Sequence, residues 1–365
     1  MSDLLYKVAL SRIDGVGIVT SQHLLAKFGD AREVFHAHAR ELVTVPGISD
    51  AMARRIPQGH ALLLAEEELR YLERYNIQAF FFTDDDYPER LRRISDAPTL
   101  FYYRGNAPLN SRRTVGIIGT RKPSPNGLIQ VNRLVEELGA YQPLILSGLA
   151  YGIDIAAHKA ALRHGLPTVG VLGHGLRHLY PAKHRKTAQE MIENGGLLTE
   201  YPFTTGPDSR HFPMRNRIVA ALSDAMIVVE TPRKGGSIIT AEYANTYHKD
   251  VFAVPGRLND RTSEGCNWLI KTHKAALLES AEDIGYVLRW SPEARPPAEQ
   301  LELFEQLSSD EKLVVDLLRQ QEQTLIDDLS IASGLSSGVL ATVLLEIELK
   351  GLIRTLPGKR YMLIR

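Results

Sequence analysis

Cysteine is almost missing from this chain: Cys266 stands alone among 365 residues. One thiol can make neither an internal disulfide nor a thiolate zinc site, and a chain so poor in cysteine fits a reducing compartment. A partly buried, inert thiol is the expected role. Net charge is missing too, since Lys+Arg and Asp+Glu number 43 each. Any attraction for a polyanion must therefore come from a local patch and not from a global surplus. Long apolar runs are absent as well: nowhere do about 20 apolar residues run together, and the opening MSDLLYKVALSRIDG is too polar for a signal peptide. These absences predict a cytoplasmic protein with no membrane partner. Two phosphate signatures are also lacking. The first central strand runs into GIIGTRKPSPNG instead of GxGxxG, and GxxxxGK[ST] occurs nowhere. Neither a dinucleotide cofactor nor ordinary nucleotide hydrolysis is expected, and the cofactor expectation is none.

What the chain does have is regular punctuation. Its length exceeds what a single core sustains, so two or three domains are expected. Residues 1–80 read as a helical domain of helix-hairpin-helix or SAM-like type. Leu4 to Ser11 is helical, Ile13-Asp14-Gly15-Val16-Gly17 breaks it, and Thr20 to Phe28 resumes; a weaker copy lies at Val45-Pro46-Gly47-Ile48-Ser49. Such glycine hairpins either present backbone N–H groups to a DNA phosphate or simply close tight interhelical turns. Ala61 to Tyr75 is amphipathic, with Leu62, Leu63, Leu69 and Leu72 as its expected buried stripe. Asp84, Asp85 and Asp86 have no further ligands at useful spacing and read as a solvated turn.

Residues 81–288 alternate apolar runs with helical stretches: Thr114 to Gly119, Leu144 to Ser147, Thr168 to Leu172, Leu197 to Glu200, Ala225 to Glu230, Val251 to Val254 and Ala275 to Glu279. This predicts an α/β fold, an extended Rossmann-like domain with a mostly parallel sheet covered by helices on both faces. Ligands of such sheets bind beyond the carboxyl ends of the strands. The residues there are cationic or glycine-rich: Gly119-Thr120-Arg121 after the first run, Ser147-Gly148 after the second, Lys183 beyond the third, Arg215, Asn216 and Arg217 beyond the fourth, and Gly235-Gly236-Ser237 after the fifth. Both glycine turns precede helices, so backbone N–H groups and a hydroxyl can meet a phosphate. With Tyr180, Phe203 and Phe212 available for stacking, the rim has the combination that single-stranded nucleic acid uses. Asp154 and His158, four apart, would share a helix face, but a dipole-complementing carboxylate and its neighbour explain them better than a metal. Glu230 and Glu242 are acids without an evident nucleophile or base.

Residues 289–302, which include SPEARPPAEQ, read as a linker, and residues 303–365 as three helices and a hairpin, the order of a winged helix. The third helix would enter a major groove, yet it carries Glu346 and Glu348 with Lys350 as its only cation. A partner-binding or auxiliary role is expected there in preference to strong duplex binding, with a weak wing contact to phosphate open to Lys359 and Arg360.

TDDDYPERLRRI, GIIGTR, SGLAYGIDIAAH, VLGHGLRHLYP, FPMRNRIVAALSDAMIVVE, GGSIITAEYA, VFAVPG and GCNWLI follow one another in an order that resembles the DNA-processing protein A (DprA, or Smf) family of bacterial transformation. The resemblance implies a homodimer that binds single-stranded DNA without base preference, protects it, and loads the RecA recombinase. It implies that Arg121 is the DNA-contacting arginine of the turn, that Ser147 and Gly148 line a phosphate pocket, and that Arg215 and Arg217 form its basic wall. It also places the dimer contact near Leu269 and Ile270. One departure is Ala182, where the family often has lysine, with Lys183 next to it. The central segment is similar as well to nucleotide phosphoribohydrolases, whose PGGxGTxxE turn looks like Gly235 to Glu242. On that alternative Glu242 would be the catalytic acid.

Overall fold

A computed structural model of the protein describes residues 3–293, 307–319, 324–350, 352–356 and 358–363. The described residues up to 293 form one compact unit and those from 307 a second. The first is organised by a nine-stranded sheet: β1 (Gln78–Phe81), β2 (Leu100–Gly105), β3 (Thr114–Ile118), β4 (Leu144–Ser147), β5 (Thr168–Val171), β6 (Gly195–Thr199), β7 (Ala225–Val228), β8 (Asp250–Ala253) and β9 (Ala276–Leu277). Their order is β1-β2-β6-β5-β4-β3-β7-β8-β9. Strands β3 to β9 pair in parallel, and β2 runs antiparallel to both β1 and β6.

The central strands are apolar along their whole length because helices cover both faces. Val115, Ile117, Ile145 and Ile227 point into one core with Val135 and Leu138. Ile118, Leu146, Met226 and Val228 point into the other with Ile218 and Leu222. This is the period-two alternation of a strand, with both of its sets buried. Cys266 lies fully inside the second core, and burial pushes its thiol up to about 12.

The N-terminal helices pack around Val8, Leu10, Leu24, Val34 and Leu42, a core that also takes in Phe81 of β1 and Tyr102 of β2. The boundary expected between residues 80 and 81 therefore falls inside β1, which ties the helical part to the sheet. The expected stripe of the helix His60–Tyr75 needs correcting. Leu63 is exposed, Leu62 and Leu69 are partly covered, and the buried positions are Ala65, Glu68 and Leu72. Glu68 holds an inward position because its carboxylate accepts the Phe203 N–H at 2.9 Å. Among the expected dimer contacts, Leu269 is instead fully buried in the protomer's own core, with Ile270 packed partly against it.

Of the expected linker, residues 294–302 lie outside the described residues. Before them, Trp290 packs at 6.2 Å from Tyr141 and the Glu293 N–H donates to the Ala140 carbonyl at 2.8 Å. The second unit has helices Ser309–Arg319, Ile326–Ser333 and Ser337–Leu349 and a small sheet of Thr324–Leu325, Ile353–Leu356 and Arg360–Leu363. Val314, Leu318, Leu329, Leu344 and Ile347 form its core. Among the described residues no single helix is long and apolar enough to cross a membrane.

Leu134 is fully buried on the helix that follows β3. Leu134→Ala is expected to lower the unfolding free energy of this unit by about 2–5 kcal/mol in urea melts; a loss below about 1 kcal/mol would contradict the packing described here.

Candidate nucleic-acid interface

Strand β4 ends at Ser147, whose hydroxyl is fully buried and donates to the Ile117 carbonyl of β3 at 2.6 Å. The hydroxyl expected to reach a phosphate is thus committed to joining two strands. At Gly148 a Cβ would come within 2.6 Å of both the Arg215 guanidinium and the Asp154 carboxylate, so only glycine fits. The Gly148 N–H donates to Asp154 at 3.2 Å. Leu149 takes a left-handed conformation, φ +56°, and its carbonyl accepts from His184 Nδ1 at 2.9 Å. Gly152 abuts the Thr120 carbonyl so closely that no side chain could stand there. The Ile153 N–H donates to Thr120 at 3.1 Å, and the Thr120 N–H to the Glu230 carbonyl at 2.6 Å. The exits of β4, β3 and β7 are therefore tied together through backbone.

Arg215 lies beneath this junction on the helix His211–Leu222 and is buried. Its Nη1 donates to the Val171 carbonyl at the end of β5. It makes no ion pair within 4.0 Å among the described residues, and its Nε has no acceptor among them. Burial pulls its pKa down to about 10, with Asp154 acting against that and Arg121 with it, so it remains a cation at neutral pH. Asp154 responds in the opposite sense. Burial pushes its carboxyl up, and Arg215 together with the Ala150 and Gly148 N–H groups pulls it back.

The exposed part of the rim is built on top of these buried groups. Arg121 is exposed, with its guanidinium 5.6 Å from the Phe212 ring, which packs 5.8 Å from Tyr180. The Phe212 ring reaches inward over Gly173, where a Cβ would meet it at 3.0 Å. His174 fixes the loop that carries Tyr180: its Nε2 accepts the Tyr180 N–H at 3.2 Å, and burial lowers its pKa, keeping the ring neutral. Lys183 is exposed on the turn Ala182–His184. On the other side of β3, the helix Gly236–Thr246 starts without a side-chain cap, and Gly236 is exposed with nothing within 4 Å of where its Cβ would be. Arg233 and Lys234 precede it, both exposed, and Ser237 is buried. Because β3 sits between β4 and β7, the Gly119-Thr120-Arg121 turn stands between the two glycine turns. Uncapped helix N-termini, buried cations and exposed arginine together favour anions in extended arrays.

Some expected members are elsewhere. Arg217 is buried in a 2.5 Å ion pair with Glu200, so its charge is already met and it does not stand in an open basic wall. Asn216, between the two arginines, is half-buried. Phe203 is buried and stacked on Tyr71 at 4.3 Å, and is not available to a base. Two groups that the sequence reading assigned no role in the site help to shape it, His174 and His184, and Asp154, read from sequence as a dipole-complementing carboxylate, stands opposite Arg215. Glu230 also has a definite place. It accepts the Ser124 N–H at 2.8 Å and the Ser124 hydroxyl at 2.5 Å, so a carboxylate of the chain itself fills the N-terminus of the helix after β3. That is where this fold class places a dinucleotide's pyrophosphate. Glu242 is paired on the surface with Lys274 at 3.0 Å.

The fold and these turns define a Rossmann-like protein with a cationic, glycine-lined rim, joined to a second unit of winged-helix order. The chain belongs to the DNA recombination-mediator protein A family, whose pattern matches residues 78–289, and residues 292–359 match the DprA winged helix domain. Protein Smf of Synechocystis is 31% identical over 99% of this chain and 98% of its own length. The DNA processing protein DprA of Streptococcus pneumoniae is 42% identical over 56% of this chain and 72% of its own. The crystal structure of DNA processing protein A from that species superposes with a TM-score of 0.69 at 30% identity, covering 80% of this chain and 99% of that one. The Helicobacter pylori DNA processing protein A, described for its unique single-stranded DNA binding mode, gives a TM-score of 0.54 at 31% identity over 60% of this chain and 98% of its own.

His158 lies one turn beyond Asp154, fully buried, with Nδ1 2.7 Å from the Thr168 hydroxyl. Burial, then the charges of Arg215 and His184, lower its pKa from 6.5 to about 3. Between those values the unfolded chain binds the proton and the folded chain does not, so His158 makes stability rise with pH across that window and fall as pH drops through it. Urea midpoints measured from pH 4 to pH 7 should rise, and His158→Asn should flatten part of that rise; an identical slope in the variant would show that His158 does not titrate this way.

Proposed function

We propose that this protein binds single-stranded DNA through its phosphodiester backbone, without reading bases, and that it protects incoming DNA and passes it to the RecA recombinase during natural transformation, acting as a homodimer. The observation that carries the reading is Arg215: a buried guanidinium with no ion pair among the described residues and a spare donor, set under Gly148 and beside exposed Arg121. A buried cation without a paired anion is costly, and a phosphate arriving at the junction offsets that cost. Gly119, Thr120, Arg121, Gly148, Lys183, Gly235 and Gly236 are its proposed backbone contacts, with Tyr180 and Phe212 offering faces for bases. Membership of the family and the Helicobacter pylori relative's single-stranded DNA binding support the same reading.

The protein acts here as a binder, not a catalyst. The acid needed for phosphoribohydrolase chemistry, Glu242, is held by Lys274 on the surface, and His158 is buried and neutral. In the winged helix, Lys350, which caps the end of the helix Ser337–Leu349, is paired with Glu311 at 2.5 Å. This supports a protein partner for that unit over a DNA groove.

Affinity for oligo-dT should fall steeply with salt, at about 0.7 decade per decade of salt for each phosphate neutralised, and oligo-dT and mixed-sequence strands should bind alike. Arg121→Ala should weaken binding by about tenfold, as expected for loss of one charge-assisted phosphate contact. A flat salt response, or full affinity in Arg121→Ala, would sink the assignment.

A further inference from the structure

Beside the strand-exit rim runs a groove of about 1140 Å³ between the helices Pro125–Leu138 and Ile153–Arg163. Its floor is apolar and open: Leu128, Ile129 and Tyr151 are exposed, Ile129 by 63%, and Ile155 is half-buried between them. An apolar strip of this kind on a soluble surface marks a contact site. Five basic residues line it against one acidic residue, Glu136, in a chain whose charges balance overall. Two of the five are already engaged, Arg133 with Glu137 at 3.7 Å and Arg163 with the Asn132 side-chain Oδ1 at 2.5 Å. Lys122 and Lys159 are exposed and make no ion pair among the described residues.

We infer that this groove holds the continuation of the single strand bound at the strand exits, with bases on the apolar floor and phosphates at Lys122 and Lys159. The inference rests on the reading of the rim as a DNA site and extends it. Continuity is the first argument. Arg121 and Lys122 belong to the turn after β3 and line the groove, so a strand leaving Gly148 and Arg121 enters it without crossing an uncharged gap. Chemistry is the second. A single strand has both a phosphate track and unpaired base faces, which need cations and an apolar surface side by side. A duplex hides its bases and would leave Leu128 and Ile129 unused. The groove thus favours unpaired strands and adds length dependence to an interaction that the rim alone would make with a few nucleotides.

The test uses the full-length protein with oligo-dT of about 6 and about 20 nucleotides, lengths that fill the rim alone or the rim and the groove. Ile129→Asp and Lys159→Glu change exposed side chains, and melting curves check that both variants fold. The expected result is that each variant loses affinity for the longer strand by about tenfold while the shorter strand binds as before, and that Lys159→Arg restores the longer strand. Unchanged binding of the longer strand by both variants, with Arg121→Ala still weakening both lengths, overturns the groove and leaves the rim intact. If the wild-type protein binds neither length, the rim reading fails and the groove falls with it. Variants that keep DNA affinity but release a synthetic acidic amphipathic peptide bound by the wild type overturn the inference in favour of a protein occupant.

Discussion

A charged guanidinium kept out of water is the constraint around which the rest of this site is arranged. Arg215 is buried under the junction of the strand exits, hydrogen-bonded to the Val171 carbonyl, with Asp154 opposing it across Gly148 and no ion pair within 4.0 Å among the described residues to neutralise it. Desolvating a cation without a close partner is expensive. The surroundings lower that cost by several small means. Gly148 has no side chain to intrude, Asp154 contributes field from a distance, and His158 stays neutral and adds no second charge. What survives is positive potential directed outward, where Arg121 and the helix N-terminus at Gly236 add to it.

The parallel sheet turns that local feature into a surface. Every exit from β3 to β7 opens on the same edge, so cations far apart in sequence collect there although the chain has no net charge. The same architecture usually serves a nucleotide cofactor. Here Glu230 already occupies the N-terminus of the helix after β3, hydrogen-bonded to Ser124, and repels a second anion from that position. On the proposed reading that leaves anions the neighbouring exits, which suit an extended polyphosphate better than a compact cofactor.

The strands were readable because parallel strands buried on both faces are apolar throughout, and the glycine turns because a side chain would meet the Thr120 backbone at Gly152 and the ends of Arg215 and Asp154 at Gly148. Partners distant in sequence were not readable. Arg215 and Arg217 are two residues apart on one helix and look equivalent, yet Glu200 from the end of β6 neutralises one while the other stays unpaired. Phe203 looked like a stacking surface until Tyr71, from the helical part, covered it. Leu269 belongs to an apolar stripe that reads the same whether it meets a second protomer or, as here, its own core. Ser147 shows the same limit at one atom, since local sequence does not reveal that its hydroxyl turns to Ile117 on the next strand.

The central claim is that phosphates dock at the exits of β3, β4 and β7. Hydrogen–deuterium exchange with and without oligo-dT tests it most directly. Slowed exchange at the amides of residues 119–122, 148–152 and 235–237, with the helix start at residues 124–127 unchanged, is the predicted result. Protection absent from those turns, or centred on residues 124–127 or on the winged helix, would contradict the account.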